Sequence, residues 1–143
     1  MNILIIGKTV EFDNHLSDCL KEHDEDCKTF YVKTITPSIS NFIEKNQINT
    51  IVINLLFGMV KIKKELEILF NQNVSKIVIL EKGNDLYYKN VPMPFSVYKK
   101  FKPKNRVSKI ISNVEDKIKN SQKNFIVFRV SEIYGPSVKF GIV

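Results

Sequence analysis

The chain has 143 residues, of which 43% are hydrophobic, and a formal net charge of +7. This is the size of one ordinary domain with enough apolar content for one buried core, which argues against a multidomain organisation. No apolar run approaches the roughly 18 residues of a membrane-spanning helix. The short apolar start lacks the basic leader of a secretory signal, so a soluble, cytoplasmic protein without membrane association is expected.

The two cysteines, Cys19 and Cys27, form neither a disulfide framework nor a metal-ligand spacing. Cys19 falls on the apolar side of a predicted helix. We therefore expect reduced cysteines with a structural role, and no metal site.

Short apolar runs alternate with segments of helical spacing along the whole chain. The runs, rich in Ile, Val and Phe, are typical of strands buried on both faces and cover residues 2–6, 27–32, 49–55, 75–80 and 124–130. Apolar residues recur at helical spacing at Phe12, Leu16, Cys19/Leu20 and His23, at Ile62, Leu66, Leu69 and Phe70, and at Val107, Ile110, Ile111, Val114 and Ile118.

Two proline-containing stretches complete this assignment. Pro37 precedes Ile39, Phe42 and Ile43, which predicts a short helix entered through a first turn that tolerates proline. Residues 91–95 contain two prolines and predict a loop.

Strands that alternate with helices run parallel, and right-handed crossovers give an α/β fold in three layers. We predict a single domain over residues 1–143.

Three stretches resemble the extended short-chain dehydrogenase/reductase family, which includes NAD-dependent nucleotide-sugar epimerases, dehydratases and reductases. Residues 125–136 (FIVFRVSEIYGP) resemble a family strand that ends in arginine, here Arg129, before a Tyr-Gly-Pro turn that contains Tyr134. Residues 51–56 (IVINLL) resemble the strand after which the cofactor passes. Residues 5–16 follow the family's strand, glycine loop and helix in length.

The resemblance implies a Rossmann-like, doubly wound parallel sheet, cut off after the dinucleotide-binding half. It also implies that an NAD(P) site, if functional, involves the glycine loop and the end of the third strand, and that a substrate loop lies near the chain's end. The implied cofactor-site residues are Gly7, Lys8, Thr9, Asn54 and Leu55, and the implied substrate-loop residues are Arg129 and Tyr134.

The glycines of the family's phosphate loop are mostly replaced. Three glycines allow a tight turn and let pyrophosphate approach the helix N-terminus, and here they correspond to Gly7, Val10 and Asp13. A branched side chain and a carboxylate both oppose dinucleotide binding, so no cofactor is expected. Asp13 and Glu11 also suit the first turn of a helix, because acidic groups there interact favourably with the helix dipole. The phosphate site is expected to supply its own anion.

The catalytic positions that the resemblance implies are also altered. Family chemistry uses a tyrosine four residues before a lysine, and the best alignment places Asn105 at the tyrosine and retains Lys109. Tyr98 and Lys102 have the same spacing, but Pro103 disfavours helical geometry at Lys102. No hydroxyl is present near residues 80–82, where the family has a serine or threonine.

We therefore predict a degenerate domain, without redox activity, that serves as a scaffold or binding module. One alternative is a divergent NAD(P)-dependent nucleotide-sugar enzyme. Another is a module for polyanions such as nucleic acid, based on the basic residues of segment 99–109 interleaved with Phe101 and next to Tyr98. A response-regulator receiver fits poorly because Gly7, Lys8 and Asn54 stand where it needs acidic residues.

Association with a protein partner or a second copy is also predicted. Loss of the family's second half would expose surface that the larger fold covers, and exposed apolar surface promotes association. The weakly alternating tail, residues 138–143, is suited to adding an edge strand to its own sheet or to that of a partner.

Overall fold

In the part of the chain that the structure describes, five parallel strands form one sheet. The computed structural model describes residues 1–56, 65–82 and 106–130. Its strands are β1 (Asn2–Ile6), β2 (Lys28–Val32), β3 (Thr50–Asn54), β4 (Lys76–Lys82) and β5 (Phe125–Val130). They lie in the order β2-β1-β3-β4-β5, with every neighbouring pair parallel. The Rossmann-like α/β fold predicted from the sequence is thus confirmed.

Four described helices connect or follow these strands. They are α1 (Val10–His23), α2 (Ile39–Lys45), α3 (Glu65–Phe70) and α4 (Arg106–Asn120). Helix α1 follows β1 after three residues and carries Glu11 and Asp13 in its first turn and Lys21 and His23 in its last. This charge distribution is favourable for the helix dipole at both ends.

The helices cover the two faces of the sheet unequally. Side chains on successive strand residues point to opposite faces, so one face carries Leu4, Ile6 and Ile51 and the other Ile3, Ile5 and Val52. The first face packs against α2, α3 and α4 through Ile43, Leu69, Val114 and Ile118, among others. The second packs against Leu16 and Leu20 of α1. Three layers result, with the larger core on the side of α2, α3 and α4.

Among the described strands, β5 lies at one edge of the sheet and is less covered than the strands at the centre. Phe125 and Val127 pack against the larger core, whereas Ile126 and Phe128 are 40% and 51% exposed. These two residues alternate with the core residues and therefore belong to the face on which α1 packs. Among the described helices, none is both long enough and apolar enough to cross a membrane.

The predicted elements agree with the structure except at their ends. Each of the predicted runs contains a strand; the largest change is in β4, which continues to Lys82 rather than ending at residue 80. The short helix after Pro37 is present as α2, which begins at Ile39. Cys27 is buried, and both cysteines are free. The predicted loop at 91–95 and the tail at 138–143 lie outside the described residues.

Candidate functional site

The segment between β1 and α1 is held against β2 by the backbone groups of Gly7. The Gly7 N–H donates to the Val32 carbonyl over 3.2 Å, and the Tyr31 hydroxyl donates to the Gly7 carbonyl over 2.8 Å. Gly7 is itself buried. This places the start of α1 at the carboxyl ends of β1 and β3, the end of a parallel α/β sheet at which ligands usually bind.

The carboxyl group of Asp13 occupies the interior of this site. Asp13 is only 2% exposed, and the Asn54 side-chain amide donates a 2.7 Å hydrogen bond to its Oδ1. Asn54 Oδ1 in turn accepts from the Leu56 N–H over 3.0 Å. The second carboxylate oxygen, Oδ2, is buried without a hydrogen-bond donor in the described part of the chain. Both ends of the Asn54 amide are therefore used within the protein.

Asp13 also fills the space beside Gly7. A Cβ atom added at Gly7 would lie 2.5 Å from Asp13 Oδ2 and 2.8 Å from Oδ1. Real Cβ atoms do not approach oxygen this closely, so a side chain at position 7 would force the carboxyl group of Asp13 to move. In a dinucleotide-binding loop the same absence of side chains allows pyrophosphate and the helix to approach the strand. Here the close approach is used by the carboxyl group of Asp13.

Burial raises the pKa of Asp13 above its ordinary value, and the hydrogen bond from Asn54 only partly offsets this rise. Burial also raises the pKa of Tyr31, and the nearby charge of Asp13 adds to that effect. A phosphate group placed beside this carboxyl would bring further negative charge into a poorly solvated space. The residues present do not fit the pyrophosphate of NAD(P).

The other residues of the predicted cofactor site differ in how far they are exposed. Lys8 is exposed, Thr9 is half-buried, and Val10, at the position of the family's second glycine, is exposed. Leu55 is buried, and its N–H donates to the Leu80 carbonyl over 2.8 Å. The structure thus brings Gly7 and Asn54 together around Asp13, while Lys8, in the same loop, is exposed.

The predicted catalytic and substrate residues are only partly described. Lys109 lies exposed on α4. Arg129, predicted in a substrate loop, lies within β5, where its guanidinium pairs with Glu81 and Glu115. Asn105, Tyr98, Lys102 and Tyr134 lie outside the described residues. In the described segments, no group of three or more His, Cys, Asp or Glu side chains is arranged to hold a metal ion.

Two buried carboxyl groups were not identified as site residues from the sequence. Glu81 of β4 and Glu115 of α4 are both buried and both contact Arg129. A signal was present for Glu81, because it continues the alternation of Ile77 and Ile79 towards the larger core. Tyr31, which fixes the Gly7 carbonyl, was also missed.

Comparison with solved structures places these features in a known fold. A UDP-glucose 4-epimerase from Thermotoga maritima, solved with UDP-glucose, superposes with a TM-score of 0.75 at 16% identity, over 96% of this chain and 57% of that one. WbmH from Bordetella bronchiseptica, solved with NAD+, gives 0.69 at 15% identity, over 95% and 57%. A GDP-L-fucose synthetase from Naegleria fowleri, bound to NADP, gives 0.55 at 14%, over 97% and 52%.

The chain has the fold of these proteins. This confirms, for the fold, the resemblance to extended short-chain dehydrogenase/reductases predicted from the sequence. The chain spans little more than half the length of the proteins it matches. No protein-family model matches the sequence, and no curated protein matches it.

Proposed function

We propose that this chain is a degenerate short-chain dehydrogenase/reductase-like domain that binds no dinucleotide, performs no hydride transfer, and acts in the cytoplasm as a scaffold or binding module. The observation that carries this proposal is the position of Asp13. Its carboxyl group packs against Gly7 and accepts a hydrogen bond from Asn54, in the space that a glycine-rich loop leaves open. Val10 adds a branched, exposed side chain at the first residue of α1.

Calorimetric titration with NAD(H) and NADP(H) tests the proposal directly. We expect no binding by the wild-type protein up to millimolar nucleotide. The double variant Val10→Gly/Asp13→Gly restores the family's glycine spacing and should bind measurably better. Its matched control is Val10→Gly/Asp18→Gly, which places the second glycine at an exposed acid of the same helix. Micromolar binding by the wild-type protein would overturn the proposal.

A protein partner or a second copy of this chain is the proposed target of the module. Ile126 and Phe128 present exposed apolar groups on the edge strand β5, on the face that α1 covers only in part. Exposed apolar side chains that lie together promote protein association.

Light scattering after size exclusion should detect self-association that the variant Ile126→Thr/Phe128→Thr weakens. The control is Val10→Thr, which changes an exposed valine elsewhere. A strictly monomeric wild-type protein would rule out the second copy and leave a different protein as the target.

A divergent nucleotide-sugar enzyme is the second candidate, and the fold shared with an epimerase and a fucose synthetase favours it. In that case Lys8, Thr9 and Lys109, none of which is buried, would supply polar contacts to the ligand. A ligand that binds only the folded protein raises its melting temperature with concentration. Saturable shifts with NAD(P), UDP-sugars or dTDP-sugars would support this candidate, and none are expected.

A polyanion-binding role has less support. Near the end of α4, Lys117 pairs with Glu67, Lys119 pairs with Glu115, and Lys123 donates to the Gln72 carbonyl over 2.9 Å. Two of these lysines are each paired with a carboxylate, so together with their partners they add no net positive charge at this end of α4. Affinity for nucleic acid that falls steeply with salt would restore this candidate.

A further inference from the structure

An ionic cluster with two buried carboxyl groups joins α4 to the two strands beneath it. The strand register places Glu81 of β4 opposite Arg129 of β5. Arg129 Nε donates to Glu81 Oε1 over 2.8 Å, and Nη2 of the same guanidinium donates to Glu115 Oε1 on α4. Lys119, one turn further along α4, lies 3.5 Å from Glu115 Oε2. One guanidinium thus connects three elements.

The cluster contains more negative than positive groups in its buried part. Glu81 has no exposed surface, and its Oε2 has no hydrogen-bond donor in the described chain. The two carboxyl groups share Arg129, whereas the Lys119 side chain is 55% exposed and pairs with Glu115. An ionised carboxylate buried without full compensation is strongly unfavourable. A proton on Glu81 relieves this imbalance and gives its carboxyl group a hydrogen to donate to Glu115.

We propose that Glu81 keeps its proton in the folded protein at neutral pH, and that losing this proton in mildly alkaline solution loosens the packing of α4 on β4 and β5. The charged groups that face Glu81 from the described elements are Glu115 of α4 and Arg129 of β5, with Lys119 behind Glu115. The cluster therefore acts as a pH-responsive contact within the fold, and it does so whether or not the chain binds a nucleotide.

The protonation behaviour of the two carboxyl groups supports this. Burial, followed by the charge and hydrogen bond of Glu115, raises the pKa of Glu81 to about 8. Burial also acts to raise the pKa of Glu115, but the hydrogen bonds from Arg129 and Glu81 exceed this effect and the pKa is lowered. These opposite shifts support one proton held by the pair of acids at neutral pH, and the complete burial of Glu81 favours its carboxyl group as the site of that proton.

The sign of the pH dependence follows from this difference between the folded and unfolded states. Unfolded Glu81 has an ordinary pKa near 4.5, so its contribution to stability is complete below that pH. The contribution is lost as the pH rises towards the folded pKa of about 8. One proton that is bound only in the folded state changes the unfolding equilibrium constant by about tenfold per pH unit within this window.

Urea unfolding from pH 5.5 to 9 tests the proposal. For the wild-type protein we expect the unfolding equilibrium constant to increase with pH by up to about tenfold per unit until near pH 8. Glu81→Gln, which keeps the shape and cannot ionise, should remove most of that dependence. Glu67→Gln is the matched control. It removes an exposed carboxylate of α3 that is paired with Lys117 of α4. An unchanged pH dependence in Glu81→Gln would overturn the proposal.

A second measurement does not depend on the variant folding. The side-chain carboxyl carbons of glutamate shift in NMR spectra as they titrate, and the wild-type protein should show one glutamate with a midpoint near 8. Hydrogen exchange, corrected for its intrinsic pH dependence, should show α4 amides losing protection above that midpoint. Ordinary acidic midpoints for all glutamates, or α4 protection that does not change with pH, would contradict the proposal.

Discussion

The side-chain amide of Asn54, at the end of β3, donates a 2.7 Å hydrogen bond to the carboxylate of Asp13 in the first turn of α1, 41 residues away in the chain. The first prediction concerns the loss of this hydrogen-bond donor. Asn54→Asp should destabilise the protein by at least about 2 kcal/mol at pH 8, because it places two buried carboxylates in contact and removes the donor. The double variant Asp13→Asn/Asn54→Asp exchanges donor and acceptor and should recover most of the loss.

Urea unfolding of the four proteins, measured as a double-mutant cycle, checks this prediction. A coupling energy near zero between positions 13 and 54 would show that the hydrogen bond does not contribute to stability.

A second prediction concerns the space beside Gly7. Gly7→Ala should cost about 1–3 kcal/mol, as is typical of overpacking a buried site, because the new methyl group meets the Asp13 carboxylate at 2.5 Å. In an Asp13→Ala background the same substitution should cost much less. Thermal unfolding of both pairs of proteins gives the comparison, and equal costs in the two backgrounds would mean that Asp13 is not the group that restricts position 7.

The third prediction concerns the pH dependence that Asp13 contributes. Its pKa is raised in the folded state, so the contribution to stability is complete below the ordinary value of 3.8 and is lost as the pH rises through the folded pKa. Asp13→Asn removes this dependence. The difference in unfolding free energy between Asp13→Asn and the wild type should therefore favour the variant more at pH 7 than at pH 3.5. A difference that does not change between these two pH values would contradict the assignment.

The fourth prediction isolates Arg129. Arg129→Met leaves the buried carboxylate of Glu115 without its guanidinium and the buried carboxyl group of Glu81 without its hydrogen-bond donor, and it should destabilise the protein by about 1–3 kcal/mol, as expected when buried polar groups lose a partner. Lys117→Met is the control, since its partner Glu67 is largely exposed and should lose little. Chemical unfolding at pH 7 distinguishes the two. Similar losses of stability in the two variants would mean that the contacts of Arg129 with buried carboxyl groups stabilise the protein no more than an exposed ion pair does.

The sequence was sufficient to predict the architecture because each strand is marked by a local apolar run. It also identified Asp13 as a first-turn acid that supplies an anion to the site. The role of Asn54 as the partner of Asp13 and the pairing of Glu81 with Arg129 were not predicted. Both depend on which strand neighbours which and in what register, and a local pattern does not contain that information. The predicted roles of Lys8, Thr9 and Lys109 in ligand binding remain predictions.

The parallel sheet also has a consequence for how the chain reaches this fold. No two neighbouring strands of the described sheet are joined by a hairpin, and the pairing of Glu81 with Arg129 connects positions 48 residues apart. Loops of this length must close before the contacts between their ends stabilise anything, which slows folding relative to a helical bundle of equal size. Until β5 pairs with β4, the backbone N–H and C=O groups on that side of β4 lack partners. A folding intermediate with this unpaired edge should be prone to aggregate.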